Sequence, residues 1–298
     1  MPTELRWIVS TAASSLHAAS ALVEGAPLAD QKIAAALQAE TQGLGHDLAA
    51  IGLEPRLFFE HAIPLSVQYD VPLELAHAIL SKLAGPEPMH AGAATLSRRL
   101  IALEAALEQA HPGGLAELEL RAQPLGEQWE ARGPGLLAMV ARLTESDLLV
   151  SQADVILVQP VQGGGGAAHW NYNSVRIETV LANPVEQLPE VVRLGWLLAQ
   201  LNMDLPKFQG DMRRDALAEI GPLAMIPPVL AAAQEVELAR CDLPTLAAAL
   251  KAWQTGPAEP GVLIEWWDTY QTARPAWTVA LGALARLLAG DTPAGESP

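Results

Sequence analysis

The sequence predicts a mainly helical α+β fold, with a helical N-terminal unit and a helical C-terminal unit built around a small central β-sheet. Three observations predict this fold. Ala and Leu, which favour helices, supply much of the apolar half of the 298 residues. Apolar residues recur with helical spacing over most of the chain. Near the middle of the chain, β-branched residues concentrate in two short runs, as is typical of strands.

The N-terminal part is expected to be an all-helical unit covering residues 1–111. Helical spacing runs through residues 4–24 and 29–41, and the cleanest amphipathic pattern follows at residues 94–110. The sequence His-Pro-Gly-Gly then ends this last helix. The boundary of the unit is therefore placed at residues 112–114.

The second unit, residues 115–290, is expected to begin with a β-hairpin. Leu118 and Leu120 alternate with charged residues, which predicts a strand over residues 115–121. The hairpin partner is expected at residues 128–130. A turn at residues 132–135 then precedes a short helix at residues 136–143.

Two β-branched runs predict the central strands. The run Ala153–Val161 is almost continuously apolar, and the run Asn173–Leu181 is rich in Val, Ile and Thr. The glycines Gly163–Gly166 join them. Because no Lys follows these glycines, as it would in a phosphate-binding loop, we interpret them as a connection between antiparallel strands. Helices are predicted over the rest of the unit, at residues 189–203, 213–221, 228–240, 244–254, 261–272 and 275–289, followed by a disordered tail at residues 291–298.

The charge composition argues against several classes of function. The chain has 18 basic and 34 acidic side chains and a formal charge of −16, so it is acidic and unsuited to nucleic acid or an anionic membrane surface. A single cysteine, Cys241, excludes an internal disulfide framework. The N-terminal residues do not resemble a signal peptide. We therefore expect a soluble cytoplasmic protein.

The histidines do not predict a metal site. No two of them lie within one helical turn, so no local pair is placed to bind zinc. We therefore predict no metal and no cofactor. The seven are His17, His46, His61, His77, His90, His111 and His169.

Polar side chains in otherwise apolar elements mark the candidate site. Arg176 and Glu178 share one face of a predicted strand, and Glu190 and Arg193 share one stripe of the next helix. Arg176 could pair with Glu190, and Glu178 with Arg193. The cluster is either a structural ion-pair network or a polar ligand pocket. Its candidate residues are His169, Asn171, Asn173, Arg176, Glu178, Glu190, Arg193 and Gln200.

The element order of residues 135–203 resembles the core of zincin-type metallopeptidases. A helix, a strand, a Gly-rich linker, a second strand (Asn173–Glu178) and a long helix follow one another. In that family the long helix carries His-Glu-x-x-His, but residues 191–200 contain no histidine. The resemblance therefore implies a degenerate core without metal or peptidase activity. Residues 132–194 also resemble an uncharacterised bacterial family of planctomycete type, which implies no activity.

Three functional hypotheses remain open. The first is a non-catalytic protein that interacts with a protein or small-molecule partner, because no local catalytic or metal motif is present. The second is a hydrolase of unrecognised type that uses the polar cluster between residues 169 and 193. The third is a homo-oligomeric scaffold whose interface lies on the C-terminal helices, which carry Trp253, Trp266, Trp267 and Trp277. These tryptophans are expected to be core anchors unless they are exposed.

Overall fold

A computed structural model describes residues 3–84 and 86–290 of the chain, and the backbone alone for residues 86–91. The protein is mainly helical with a small four-stranded mixed sheet, as the sequence predicts. The strands are β1 (Glu4–Val9), β2 (Gln152–Val158), β3 (Gly166–His169) and β4 (Ser174–Glu178). The first helices are α1 (Thr11–Val23), α2 (Gln31–Ala50), α3 (Pro55–Leu65), α4 (Pro72–Leu83), α5 (Pro86–Ala110) and α6 (Gly114–Leu143). The later helices are α7 (Glu190–Leu198), α8 (Pro206–Gln209), α9 (Arg214–Ala224), α10 (Ile226–Glu235), α11 (Leu243–Ala252), α12 (Pro260–Ala273) and α13 (Trp277–Leu288).

The chain divides into two compact units that are discontinuous in sequence. The helix–sheet unit comprises residues 6–124 and 154–181, and the tryptophan-rich unit comprises residues 1–5, 125–153 and 182–298. This division differs from the predicted boundary at residues 112–114, because the central strands group with the N-terminal helices. The predicted tail at residues 291–298 lies outside the described residues.

The prediction that residues 1–111 are all-helical is wrong at their start. Residues 4–9 form β1, in which Leu5 is less exposed than its neighbours Glu4 and Arg6. The helix begins only after Ser10, whose side chain accepts a hydrogen bond from the Ala13 N–H. Alternation, rather than helical spacing, therefore governs these first residues.

The prediction of a hairpin at residues 115–130 is also wrong, as is the turn at residues 132–135. Both segments belong to the continuous helix α6. Leu118, Leu125 and Trp129 are buried at helical spacing, whereas Leu120 is exposed. Gly133 leaves room for the ring of Trp129, which lies four residues earlier on the same helix. A Cβ at Gly133 would lie 2.3 Å from a carbon of that ring.

The sheet order is β1-β2-β4-β3. β2 pairs with β4 in parallel, and β3 pairs with β4 antiparallel. The predicted connection between antiparallel strands at Gly163–Gly166 is therefore wrong in its topology. The glycine segment leads from β2 to the short edge strand β3, on the far side of β4.

The core of the helix–sheet unit lies between its helices and one face of the sheet. Ile156 and Val158 of β2 join apolar side chains from α1 to α5 in this core. Helix α1 is buried over nine consecutive residues, Ala13–Ala21, which are mostly Ala and Ser. Such small side chains allow α1 to be surrounded by other elements on all sides.

The tryptophan-rich unit is organised by aromatic contacts. Trp266 and Trp277 pack edge to face with their ring centroids 6.0 Å apart, and Tyr270 packs edge to face on Trp277 at 5.3 Å. Trp196 of α7 stacks on Trp253 at 4.8 Å. The tryptophans of the C-terminal helices are buried. The prediction that they are core anchors is confirmed.

One helical stretch of the described residues, 214–235, is long and apolar enough to cross a membrane. About two thirds of its most apolar window, 67%, is buried inside the structure. A mostly buried core helix passes the same test of length and composition.

Candidate functional site

Helix α1 presents a polar stripe toward the strand ends of its own unit. Ser14, His17 and Glu24 lie three and seven residues apart, which places them on one side of the helix. The Ser14 hydroxyl accepts a hydrogen bond from the Gln159 N–H at 3.2 Å. His17 Nε2 lies 2.8 Å from Glu178 Oε1. A helix of small residues thus carries a histidine to a buried carboxylate.

The Glu178 carboxylate is bound by main-chain donors as well as by His17. The Val161 and Gln162 N–H groups donate to Oε1 at 2.9 and 2.7 Å. Those of Gly164 and Gly165 donate to Oε2 at 2.6 and 2.9 Å. Burial raises the pKa of Glu178, but the hydrogen bonds from His17 and the glycine amides lower it to about 2.

The glycine segment has the conformation that this binding requires. Gly163 and Gly164 adopt φ values of +79° and +132°, which L side chains rarely tolerate. A Cβ on Gly165 would lie 3.3 Å from the Glu178 carboxyl carbon. The loop therefore forms an anion-binding concavity of the kind that holds phosphates, but here it binds the carboxylate of the chain itself.

The surroundings of His17 favour its neutral form. Burial is the largest influence and lowers its pKa, the nearby charge of Arg176 lowers it further, and the hydrogen bond to Glu178 raises it. In the neutral ring Nε2 donates to Glu178, and Nδ1 is buried without a hydrogen-bond partner among the described residues.

His169 and Ser174 face each other across β3 and β4, where they are direct antiparallel partners. His169 is 3% exposed. Burial, followed by the charge of Arg176, lowers the pKa of His169 to about 3, although a hydrogen bond with the Glu60 main chain acts to raise it. The Ser174 hydroxyl is buried without a hydrogen-bond partner in the described part of the chain.

Arg176 lies between Ser174 and Glu178 on the same face of β4. Its Nε is buried without a hydrogen-bond partner among the described residues, although the side chain as a whole is partly exposed. Burial lowers the pKa of Arg176, and the charges of Glu24 and Glu178 act in the opposite direction. We call this group the polar layer, and its members are His17, His169, Ser174, Arg176 and Glu178.

The polar layer contains part of the predicted site. His169, Arg176 and Glu178 lie on one face of the β3–β4 pair, with His169 opposite Ser174 and Glu178 at the other end of β4. Asn171 and Asn173 are exposed in the turn between β3 and β4. Asn173 serves the turn itself, with a left-handed φ of +44°. Sequence reasoning missed His17, which lies 161 residues from its partner Glu178. The available signal was a histidine inside the small-residue run that forms α1.

The other predicted residues belong to the tryptophan-rich unit. Arg193 forms an ion pair with Glu190, three residues earlier on α7, and both are buried. The Gln200 side-chain amide donates to the Trp196 carbonyl at 2.9 Å. The crossed pairing that we predicted joins residues of two different units and stays a prediction.

A second polar contact lies in the helix–sheet unit, near the turn that follows β3. His61 Nδ1 and the Tyr172 hydroxyl are 2.5 Å apart, and the Lys82 ammonium lies 5.6 Å from the Tyr172 ring centroid. Burial, followed by the charge of Glu60, raises the pKa of Tyr172 to about 12. This tyrosine therefore stays protonated at neutral pH.

A small recess opens beside the N-terminus of α1. Its cavity volume is about 10 Å³, room for about one water molecule, and Thr11, Ser14, His111 and Gln159 contribute its polar lining. Ligand pockets usually measure roughly 300–1,000 Å³. The recess is therefore smaller than a typical substrate site.

Among the described residues, no group of three or more His, Cys, Asp or Glu side chains could hold a metal ion. Burial, followed by the charge of Asp242, raises the pKa of Cys241 to about 11, as expected of an inert thiol. No protein-family model matches the chain, and no curated protein or solved structure is detectably similar to it.

Proposed function

We propose that the protein is non-catalytic and acts by binding a ligand or protein partner. The observation that carries this proposal is the hydrogen bonding of the Glu178 carboxylate. Four main-chain N–H groups and His17 bind its carboxylate, which is buried. A carboxylate held in this way serves the structure of the loop and is not free to approach a substrate.

The acid–base properties of the polar layer support the same proposal. A general acid or base works best with a pKa near the operating pH. The pKa of Glu178 is about 2 and that of His169 is about 3, so neither exchanges protons near neutrality. The polar layer presents fixed polar groups and the positive charge of Arg176, and such groups can bind a ligand without taking up or releasing a proton.

The resemblance to a degenerate zincin core remains part of the proposal. A mixed sheet with an antiparallel edge strand, followed in sequence by α7, supports the element order on which the resemblance rests. Zinc needs neutral imidazoles, thiolates or carboxylates as ligands. Helix α7 instead carries Arg193, ion-paired with Glu190. These residues do not fit a zinc ion.

We also propose a cytoplasmic location, a small-molecule or protein partner, and possible assembly of the chain with itself. The single cysteine is compatible with a reducing compartment. The charge of −16 favours a partner that is neither nucleic acid nor an anionic membrane. The burial of the C-terminal tryptophans gives no support to an interface built on them.

The test compares hydrolytic activity and bound metal in three forms of the full-length protein. Wild type is assayed on peptide, ester and phosphoester substrates, together with Glu178→Gln and the exposed control Glu186→Gln. We expect equal background rates in all three and substoichiometric zinc by elemental analysis. Turnover that disappears in Glu178→Gln and persists in Glu186→Gln would support the hydrolase alternative. Stoichiometric zinc would also overturn the proposal.

A further inference from the structure

We propose that Arg176 anchors a binding site for a small oxyanion, a carboxylate or phosphate group, on the edge of the sheet. This inference rests on the proposed binding function and names the chemistry of its ligand. The guanidinium makes no hydrogen bond or ion pair within 4 Å to a carboxylate of the described residues, and its Nε is buried. A guanidinium carries five N–H donors and stays charged, so leaving it unpaired inside a protein is costly.

The groups beside Arg176 add the donors that an oxyanion needs. Ser174 precedes it by two residues on the same face of β4, and His169 lies directly opposite Ser174 on β3. The Ser174 hydroxyl is buried without a hydrogen-bond partner in the described part of the chain, as is Arg176 Nε. Unsatisfied buried polar groups are rare in proteins. Two of them on one face of β4 indicate that another molecule completes the hydrogen bonding.

The residue that faces Arg176 on the edge strand is small. Ala167 of β3 is the direct cross-strand partner of Arg176. It lies within the sequence Gly166-Ala167-Ala168, and all three residues are partly exposed. This partial exposure is compatible with a ligand that reaches the edge strand, and Arg recognises carboxylate and phosphate by a planar two-pronged geometry.

The nearest carboxylates do not already neutralise this site. Glu178 is bound by its loop amides and His17. Glu24 exerts the strongest charge effect on Arg176, but it is exposed and lies near the Ser20 hydroxyl, 3.3 Å away. Because the whole chain carries a charge of −16, anions are repelled from most of its surface. A recessed cation is therefore a selective place for an anion.

The test follows the Arg176 Nε–H signal of the ¹⁵N-labelled full-length protein by NMR. The signal is assigned by its loss in Arg176→Lys. Sodium phosphate and sodium acetate are titrated separately, with sodium chloride added to keep the ionic strength constant. We expect a saturable shift with at least one oxyanion, at a Kd of about 1 mM or below. A saturable shift with acetate alone would assign the site to carboxylate ligands. A saturable shift with phosphate alone would assign it to phosphate ligands.

Two variants give an independent readout by thermal unfolding. The better anion should raise the Tm of wild type and leave the Tm of Arg176→Lys unchanged, because a lysine lacks the two-pronged geometry.

Glu24→Gln should bind the anion about two- to fivefold more tightly, because a competing charge is removed, whereas exposed Glu74→Gln should not. A shift no larger than that of chloride would overturn the inference, as would equal stabilisation of wild type and Arg176→Lys. Either result would leave the non-catalytic assignment standing, which the Glu178→Gln assays test separately.

Discussion

Two charged residues on one strand, Arg176 and Glu178, show how burial acts at the scale of single residues. They lie two positions apart on the same face of β4. Glu178 is matched by five donors, so its charge is stabilised in spite of burial. Arg176 receives no such match from the described residues. The contrast arises because the loop amides and the His17 ring donate to Glu178, whereas no described carboxylate forms an ion pair with Arg176.

His169 should make the stability of the protein depend on pH. Its pKa in the folded protein is about 3, against an ordinary value of 6.5. Below pH 6.5 the unfolded chain takes up a proton that the folded imidazole does not. As the pH is lowered below 6.5, the free energy of unfolding should therefore decrease by about 1.4 kcal/mol per pH unit because of this proton. His17, whose pKa is also lowered, acts in the same direction.

The measurement is urea unfolding of wild type and His169→Gln between about pH 6 and pH 4.5, a window above the usual titration of carboxylates. The variant should show a shallower dependence of the free energy of unfolding on pH, by about one proton's contribution. The control is His46→Gln, at an exposed position on α2. Equal slopes for wild type and His169→Gln would contradict the prediction.

At the scale of elements, α6 shows why local alternation is an ambiguous signal. Leu118 and Leu120 lie two positions apart, which places them on one face of a strand but about 200° apart on a helix. Leu118 is 1% exposed and Leu120 is 64% exposed. The spacing from Leu118 to Leu125 and Trp129 distinguishes the helix from a strand, because these three buried residues share one side of a helix.

The difference in burial predicts different costs for truncating the two leucines. Leu118→Ala should lower the free energy of unfolding by about 2–5 kcal/mol, because it leaves a cavity in a packed core. Leu120→Ala should change it by less than about 0.5 kcal/mol, since the side chain is largely in water. Chemical denaturation of both variants checks this. Similar costs for the two would favour the hairpin and contradict the continuous helix.

At the scale of the whole molecule, tryptophan distribution distinguishes the two units. Six of the eight tryptophans lie in the tryptophan-rich unit, and all six are buried: Trp129, Trp196, Trp253, Trp266, Trp267 and Trp277. Trp7 and Trp170, in the helix–sheet unit, are partly exposed. The tryptophan core is therefore concentrated in one unit, whereas the core of the other consists mainly of Ala, Leu and Ile together with Phe58 and Phe59.

This distribution predicts that a neutral quencher will reach only a minor part of the tryptophan emission. Acrylamide suits the measurement, because the charge of −16 would repel iodide. The tryptophan emission of the native protein should divide into a fraction that acrylamide quenches and a larger fraction that it does not reach. The quenched fraction should be absent from the double variant Trp7→Phe/Trp170→Phe. The double variant should retain the wild-type Tm. Uniform quenching of all emission, at the rate of the urea-unfolded chain, would contradict the burial of the six.

The sequence by itself determined the helical class, the two central strands, the face of β4 that carries Ser174, Arg176 and Glu178, and the role of the C-terminal tryptophans. These features depend on composition and on periods of two to four residues, which are local properties of the chain. The period of the strand also predicts that Arg176 lies on one face with Ser174 and Glu178, whereas a functional site made of His169, Arg176 and Glu178 stays a prediction.

Only the tertiary structure decided the first strand, the continuity of α6, the parallel pairing of β2 and β4, and the contact between His17 and Glu178. Each depends on which distant segments pack together. His17 meets Glu178 because α1, with its small buried side chains, packs in the core beneath the sheet. Free energies of burial and hydrogen bonding arise from such long-range contacts, and they override the weaker local preferences on which sequence patterns depend.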